Sequence, residues 1–258
     1  MENLKVSLLQ SQLAWEDKTT NRQRFAQQIE TLIGQTDLIL LPEMFTTGFS
    51  MAAAQLAEPM DGPTVEWMAQ QAQRTGAVVT GSFIAVEEGR YYNRLLWMLP
   101  DGNYSIYDKR HLFTLAGEEK TYTAGQQKCI FDYRGWKICP QICYDLRFPV
   151  WSRNVEGYDV LFYVANFPAR RRQAWKTLLQ ARAIENQAYT IGVNVVGEDG
   201  LGITYAGDSS LIDYNGAILY QMAHLENVFT AELSYEKLVA FRTKLHFLPD
   251  QDIFEIKG

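Results

Sequence analysis

The chain has 258 residues, 47% of them apolar, with a formal net charge of -6 and a pI near 5.2. That is length enough for one sizeable core, and the acidic balance argues against a nucleic-acid partner, which is gripped through a basic surface. No apolar run approaches the ~20 residues that span a bilayer, and Met1-Glu2-Asn3-Leu4-Lys5 lacks the basic and apolar regions of a secretory signal. Cys129, Cys139 and Cys143 are a poor disulfide framework, so a cytoplasmic protein is expected. Cys139 and Cys143 do not form a CxxC pair, and His111, His224 and His246 are scattered, so no metal site is expected.

Residues 4–10 read as a strand, and 19–33 carry charged and apolar residues at helical spacing up to Gly34. Residues 37–42 are a continuous apolar run, as in a strand covered on both faces. The run ends at Glu43, a carboxylate at the sheet rim, where open α/β folds bind ligands. Pro63 opens a helix through Arg74 that Gly76 closes, and 77–84 return as a strand. Residues 91–99 and 104–107 flank Pro100-Asp101-Gly102-Asn103 as a hairpin. Directly after it stands Asp108-Lys109-Arg110-His111, which in isolation is an ordinary solvated pair of cations. A polar loop over 117–125 carries Glu118 and Glu119.

Residues 128–133 and 136–142 form a second hairpin around Arg134-Gly135, and this hairpin delivers Cys143 at the end of an apolar run. Pro149 suits the first position of a following helix, and the N–H groups of the intervening turn are free to face an anion. Pro140 conflicts with a central strand because it has no N–H for a ladder, so either that bond is absent or the strand is kinked. Further on, 158–165 are a strand, 166–172 a loop with three adjacent arginines, and 174–187 an amphipathic helix with Trp175, Leu178, Leu179 and Ile184 on one face. Strands over 189–196, 208–212, 217–221 and 228–233 follow, with a hairpin turn at 213–216, then a short helix over 234–242. Residues 246–258 lack periodicity and are expected to lie on a neighbour or to be mobile. No repeat or linker interrupts the chain, so 1–258 is expected to be a single domain with 246–258 as its C-terminal tail.

Three stretches in this order, Leu41-Pro42-Glu43-Met44-Phe45, Tyr107-Asp108-Lys109-Arg110-His111-Leu112-Phe113 and Cys143-Tyr144-Asp145-Leu146-Arg147-Phe148-Pro149, resemble the motif blocks of the nitrilase superfamily of carbon-nitrogen hydrolases. Residues 181–187 and 207–213 resemble later blocks. The resemblance implies an α/β fold of four layers, an alpha-beta-beta-alpha sandwich, with no metal or organic cofactor and pairing into a homodimer through helices. The block at 143–149 and the loop Asn166-Phe167-Pro168-Ala169 most resemble the omega-amidase branch. Its members deaminate the terminal amide of 2-oxoglutaramate or 2-oxosuccinamate, so the implied partner is a small-molecule amide. The chain departs from that branch at Arg170, where a second Pro is common, and at Ala174-Trp175, where His-Trp is.

Amide hydrolysis gains from a covalent step, a proton shuttle and donors aimed at the developing oxyanion. By the resemblance, Cys143 attacks as thiolate, Glu43 carries protons, and Lys109 with the N–H of Tyr144 stabilises the oxyanion. A further glutamate assists, and Glu118 matches its position better than Glu119. An anionic 2-oxo acid also needs a local cation, which Arg147, Arg170, Arg171 or Arg172 would supply beside Phe167. Arg147 is alternatively a brace beneath the nucleophile turn. Rival acyl donors are a nitrile, an N-carbamoyl amine and a modified-glutathione amide. From other classes, a redox-active thiol protein would gain nothing from Glu43, and an inactive binding scaffold would be expected to have lost one of Glu43, Lys109 or Cys143.

Overall fold

Strands that are apolar on both faces need a partner on each side, and the chain supplies one of each kind. The computed structural model describes residues 1–256. In chain order its strands are β1 (Leu4–Gln10), β2 (Leu38–Leu40), β3 (Val78–Glu87), β4 (Arg90–Met98), β5 (Tyr104–Asp108), β6 (Phe131–Tyr133) and β7 (Trp136–Ile142). They continue with β8 (Val160–Val164), β9 (Tyr189–Val193), β10 (Val196–Glu198), β11 (Thr204–Ile212), β12 (Ile218–Ala223) and β13 (Asn227–Leu233). Among the described residues, one sheet has the order β13-β1-β2-β3-β4-β5 and the other β10-β11-β9-β8-β7-β6, with β12 paired to β11. The helices are α1 (Lys18–Glu30), α2 (Ala53–Leu56), α3 (Pro63–Thr75), α4 (Pro149–Ser152), α5 (Arg172–Asn186) and α6 (Tyr235–Lys244).

Residue parity along each strand sorts the layers. On β8, Val160 and Phe162 join Val6, Leu38, Leu40 and Trp97 of the first sheet in the central core. Leu161 and Tyr163 point the other way, onto Trp175, Leu179 and Ala183 of α5. The first sheet repeats the scheme: Ile39, Val79 and Leu9 pack beneath Phe25 and Ile29 of α1 and Met68 of α3. Helix, sheet, sheet, helix is therefore the layer order, the alpha-beta-beta-alpha sandwich that the motifs implied. Helix α3 has Pro63 in its first turn and ends on Gly76 at φ +69°, a left-handed cap that glycine takes without strain.

Pro140 lies inside β7 without costing a ladder bond. Lys137 exchanges bonds toward β8, its carbonyl accepting from the N–H of Asp159 and its own N–H reaching the Asp159 carboxylate. Alternation then turns residues 138, 140 and 142 to the opposite edge, and β6 ends its pairing at Ile138. The missing N–H thus faces an edge with no strand beside it.

Three expectations need correction. Ile184 is not a core residue, since it is 48% exposed, and Ala183 takes the buried position instead. The expected strand 189–196 is two strands, because Asn194 leaves the sheet and uses its side chain elsewhere: its Oδ1 accepts from the N–H of Phe167 at 2.8 Å and its Nδ2 donates to the carbonyl of Gly207 at 2.7 Å. The tail is not wholly irregular, since Leu248–Asp250 form a 3₁₀ turn; its last residues, 257–258, lie outside the described residues. Replacing Trp175, fully buried under the second sheet with its indole N–H donated to the Asp208 carbonyl at 2.9 Å, by alanine is expected to cost about 3–5 kcal/mol of folding stability in urea titrations.

Candidate active site

Three strand ends meet at one rim. Glu43 comes shortly after β2, Lys109 directly after β5 and Cys143 directly after β7. Glu43 and Lys109 are buried, and the lysine Nζ donates to Glu43 Oε1 at 2.8 Å and to both oxygens of Glu118 at 3.0 Å. Glu118 is buried at the start of a 3₁₀ turn, whereas Glu119 is exposed. Glu118 Oε2 also accepts the N–H of Phe113 at 2.5 Å. Burial alone would lower the lysine pKa, but the carboxylates of Glu118 and Glu43 outweigh it and hold the ammonium above its ordinary range. Burial and the nearby Glu43 charge push the Glu118 carboxyl above its ordinary range, against the pull of Lys109.

The other oxygen of Glu43 accepts the N–H of Asn166 at 2.8 Å, and Asn166 Nδ2 donates to the Glu43 carbonyl at 2.6 Å. Asn93, on the buried part of β4, donates from Nδ2 to Glu43 Oε1 at 2.8 Å and to Glu118 Oε1 at 3.3 Å, while its backbone carbonyl accepts the N–H of Lys109 at 3.0 Å. Sequence reasoning missed Asn93. The available signal was a lone amide inside the apolar run Tyr92-Asn93-Arg94-Leu95-Leu96.

Cys143 opens a 3₁₀ turn, Cys143–Arg147, with φ +44°, and Met44, next to Glu43, has φ +43°. Left-handed backbone at non-glycine residues is costly and gathers at functional sites. Asp145 fixes this turn. Its carboxylate accepts from the N–H of Ile142 at 3.0 Å, the hydroxyl of Tyr107 at 2.7 Å, and the N–H and ring Nδ1 of His111 at 2.9 and 2.8 Å. Tyr107 and His111 flank Lys109, so one carboxylate clamps the lysine segment to the thiol segment. From behind, buried Arg182 of α5 donates to the carbonyl of Leu146 at 2.6 Å. Arg182, not Arg147, is therefore the brace; Arg147 is exposed, its guanidinium 5.7 Å from the Phe167 ring centre.

The thiol of Cys143 lines a cavity of about 610 Å³, together with Lys109, Tyr144, Arg147, Phe167, Arg170 and Arg171. Burial, then the Glu43 charge, push the thiol well above its ordinary range, while Lys109 pulls it down. Arg171 lies 4.8 Å from the Phe113 ring centre and 5.8 Å from that of Phe167. Among the described residues, Arg147, Arg170 and Arg171 form no ion pair within 4.0 Å, whereas Arg172 is bound by both oxygens of Asp208 at 2.8 Å and is not free to grip an anion. No group of three or more His, Cys, Asp or Glu side chains among the described residues is placed to hold a metal ion. The Lys109 ammonium occupies the place between the two glutamates that a cation would want.

The sequence model of the carbon-nitrogen hydrolases matches residues 5–243. The chain belongs to the carbon-nitrogen hydrolase family. Among relatives of this hydrolase, the omega-amidase YafV of Yersinia enterocolitica is 47% identical, over 98% of this chain and 99% of its own. The 2-oxoglutaramate amidase of Bacillus subtilis (strain 168) is 31% identical, over 95% and 96%. Among solved structures, XC1258 of Xanthomonas campestris, a CN-hydrolase superfamily protein with an arsenic adduct in its active site, superposes with a TM-score of 0.98 at 45% identity over 100% of both chains. Saccharomyces cerevisiae Nit3, from the nitrilase superfamily, gives 0.86 at 25% identity over 95% and 94%.

The electrostatics of the hydrolase predict its thiol reactivity. Alkylation of Cys143 by iodoacetamide, followed by peptide mass spectrometry, is expected to rise only at a higher pH than that of an ordinary thiol. In Glu43→Gln, which removes a charge that holds the thiol protonated, the rise should move to lower pH.

Proposed function

We propose that this carbon-nitrogen hydrolase is an omega-amidase, releasing ammonia from the terminal amide of 2-oxoglutaramate or 2-oxosuccinamate through a thioester on Cys143. The observation that carries the reading is a single ammonium, Lys109, bonded at once to two buried glutamates at the wall of the cavity that Cys143 lines. Glu43 accepts the thiol proton as sulfur attacks the amide carbon, then passes a proton to the departing nitrogen. Lys109 and the N–H of Tyr144 receive the oxyanion. Glu118 holds Lys109 in place through both of its oxygens. Water, deprotonated by Glu43, then cleaves the thioester and restores the thiol.

The names of the Yersinia and Bacillus relatives support the omega-amide as substrate. So does Arg171, set beside two aromatic rings with its fork unpaired among the described residues, as a clamp for the 2-oxo acid carboxylate. Arg147 and Arg170 line the cavity with it and add positive potential, and Phe167 supplies an apolar floor. A redox role fits less well, because sensing thiols have depressed pKa values and burial raises that of Cys143.

The same reading includes a homodimer. Phe247, Phe254 and Ile256 of the tail and Ile184 of α5 are exposed, and Ile253 reaches 103% exposure; a second copy would cover them. Three unpaired cysteines suit a reducing compartment, the cytoplasm.

Ammonia release from 2-oxoglutaramate tests the assignment. The wild type is expected to turn over and Cys143→Ala to show no activity with an unchanged circular dichroism spectrum. Lys109→Met is expected to lose about 10²–10³ in kcat. Near-normal release by Cys143→Ala, or a wild type that consumes peroxide and frees no ammonia, would overturn it. Sedimentation is expected to give a dimer that dissociates when residues 246–258 are removed.

A further inference from the structure

The reacting groups and the arginines account for only part of the cavity. The remainder is a largely apolar wall, interrupted by Glu16 and Ser50, which are bonded to each other at 2.5 Å, and it begins at the chemistry: the ring centre of Phe49 lies 5.1 Å from the Lys109 ammonium. Met51, Trp15, Leu201 and Ile203 line the same cavity. Trp15 links the two ends of the wall, because its indole lies on the residues adjoining Phe49 and Leu201. A Cβ on Gly48 would fall 3.1 Å from the ring, and one on Gly200 2.2 Å from it, so only glycine at position 200 leaves room for the indole.

Leu201 is 70% exposed but not loose. Asp199 Oδ1 accepts the N–H groups of Leu201 and Ile203 at 2.9 and 3.0 Å, and its Oδ2 accepts the hydroxyl of Tyr205 at 2.8 Å. The turn thus holds an apolar side chain at a cavity mouth in water, which is unfavourable unless something apolar covers it. A 2-oxo monoamide cannot: apart from its carboxylate, keto and amide groups it offers at most two methylenes.

With the carboxylate held on the Phe113 and Phe167 side and the amide carbon at Cys143, a substituent on the amide nitrogen is the extension that leaves both anchors in place. We propose that this wall is a subsite for an apolar N-substituent, and that the enzyme also cleaves secondary omega-amides whose leaving group is a hydrophobic primary amine of butyl to benzyl size. The inference rests on Cys143 as the nucleophile of the proposed function. The step balances as in the primary amide. The sulfur–carbon bond forms as the carbon–nitrogen bond breaks, the thiol proton leaves on the amine through Glu43, and water hydrolyses the thioester to the 2-oxo dicarboxylate and free thiol. No oxidant or reductant is involved.

The test compares kcat/KM for 2-oxoglutaramate and its omega-N-methyl, N-ethyl, N-butyl and N-benzyl derivatives, with amine release followed by chromatography. From N-methyl to N-butyl, kcat/KM is expected to rise by roughly tenfold or more as successive methylenes are buried. Leu201→Ser, on the exposed turn, is expected to flatten the butyl-to-methyl ratio several-fold. A flat or falling series in a wild type that hydrolyses 2-oxoglutaramate would overturn the subsite and leave the proposed function intact. A wild type inert toward 2-oxoglutaramate but active on the butyl amide would do the reverse, and silence across the series would overturn both.

Discussion

The site depends on one buried ammonium shared by two buried carboxylates at the wall of the cavity. Ionising three side chains there is expensive, and isolated buried ion pairs often fail to recover the desolvation cost. Here each partner has further bonds that offset it. Glu43 has Lys109, Asn93 and the N–H of Asn166; Glu118 has Lys109, Asn93 and the N–H of Phe113. Burial and the Glu43 charge push the Cys143 thiol above its ordinary range, against the pull of Lys109. A thiol so raised calls for a proton acceptor beside it, the role proposed for Glu43.

The scaffold exists to keep these groups in register. Lys109 and Cys143 belong to different sheets, and nothing in the sheet hydrogen bonding relates them. Asp145 does, by accepting bonds from both residues that flank the lysine segment and from the strand that ends at the thiol. The central core joins the same sheets through Trp97, Tyr107, Ile142 and Phe162. Gly125 shows how closely the segments approach: a Cβ there would meet the Asp108 carbonyl oxygen at 2.1 Å, and the glycine N–H donates to the Lys109 carbonyl at 2.9 Å.

Local signals in the sequence reached the strand ends and what stands on them. Apolar runs that stop at Glu43 and Cys143, and a hairpin that stops at Lys109, are readable because burial patterns and turn residues are encoded nearby. Glu118 came from resemblance, since nothing local separates it from Glu119; a left-handed Gly117 and the fold of the loop decide which one turns inward. Asn93, Asp145 and Arg182 act through partners dozens of residues away. Such roles arise only when both ends are in place. Pro140 was read as an anomaly because sequence does not say which side of a strand lacks a neighbour.

Rapid-quench mass spectrometry of the wild-type protein turning over 2-oxoglutaramate tests the central claim most directly. The account predicts that the peptide bearing Cys143 transiently gains the mass of the substrate less ammonia, and that the gain disappears on treatment with hydroxylamine. Steady ammonia release with Cys143 unmodified at every time point, or an adduct on Cys129 or Cys139 instead, would contradict it.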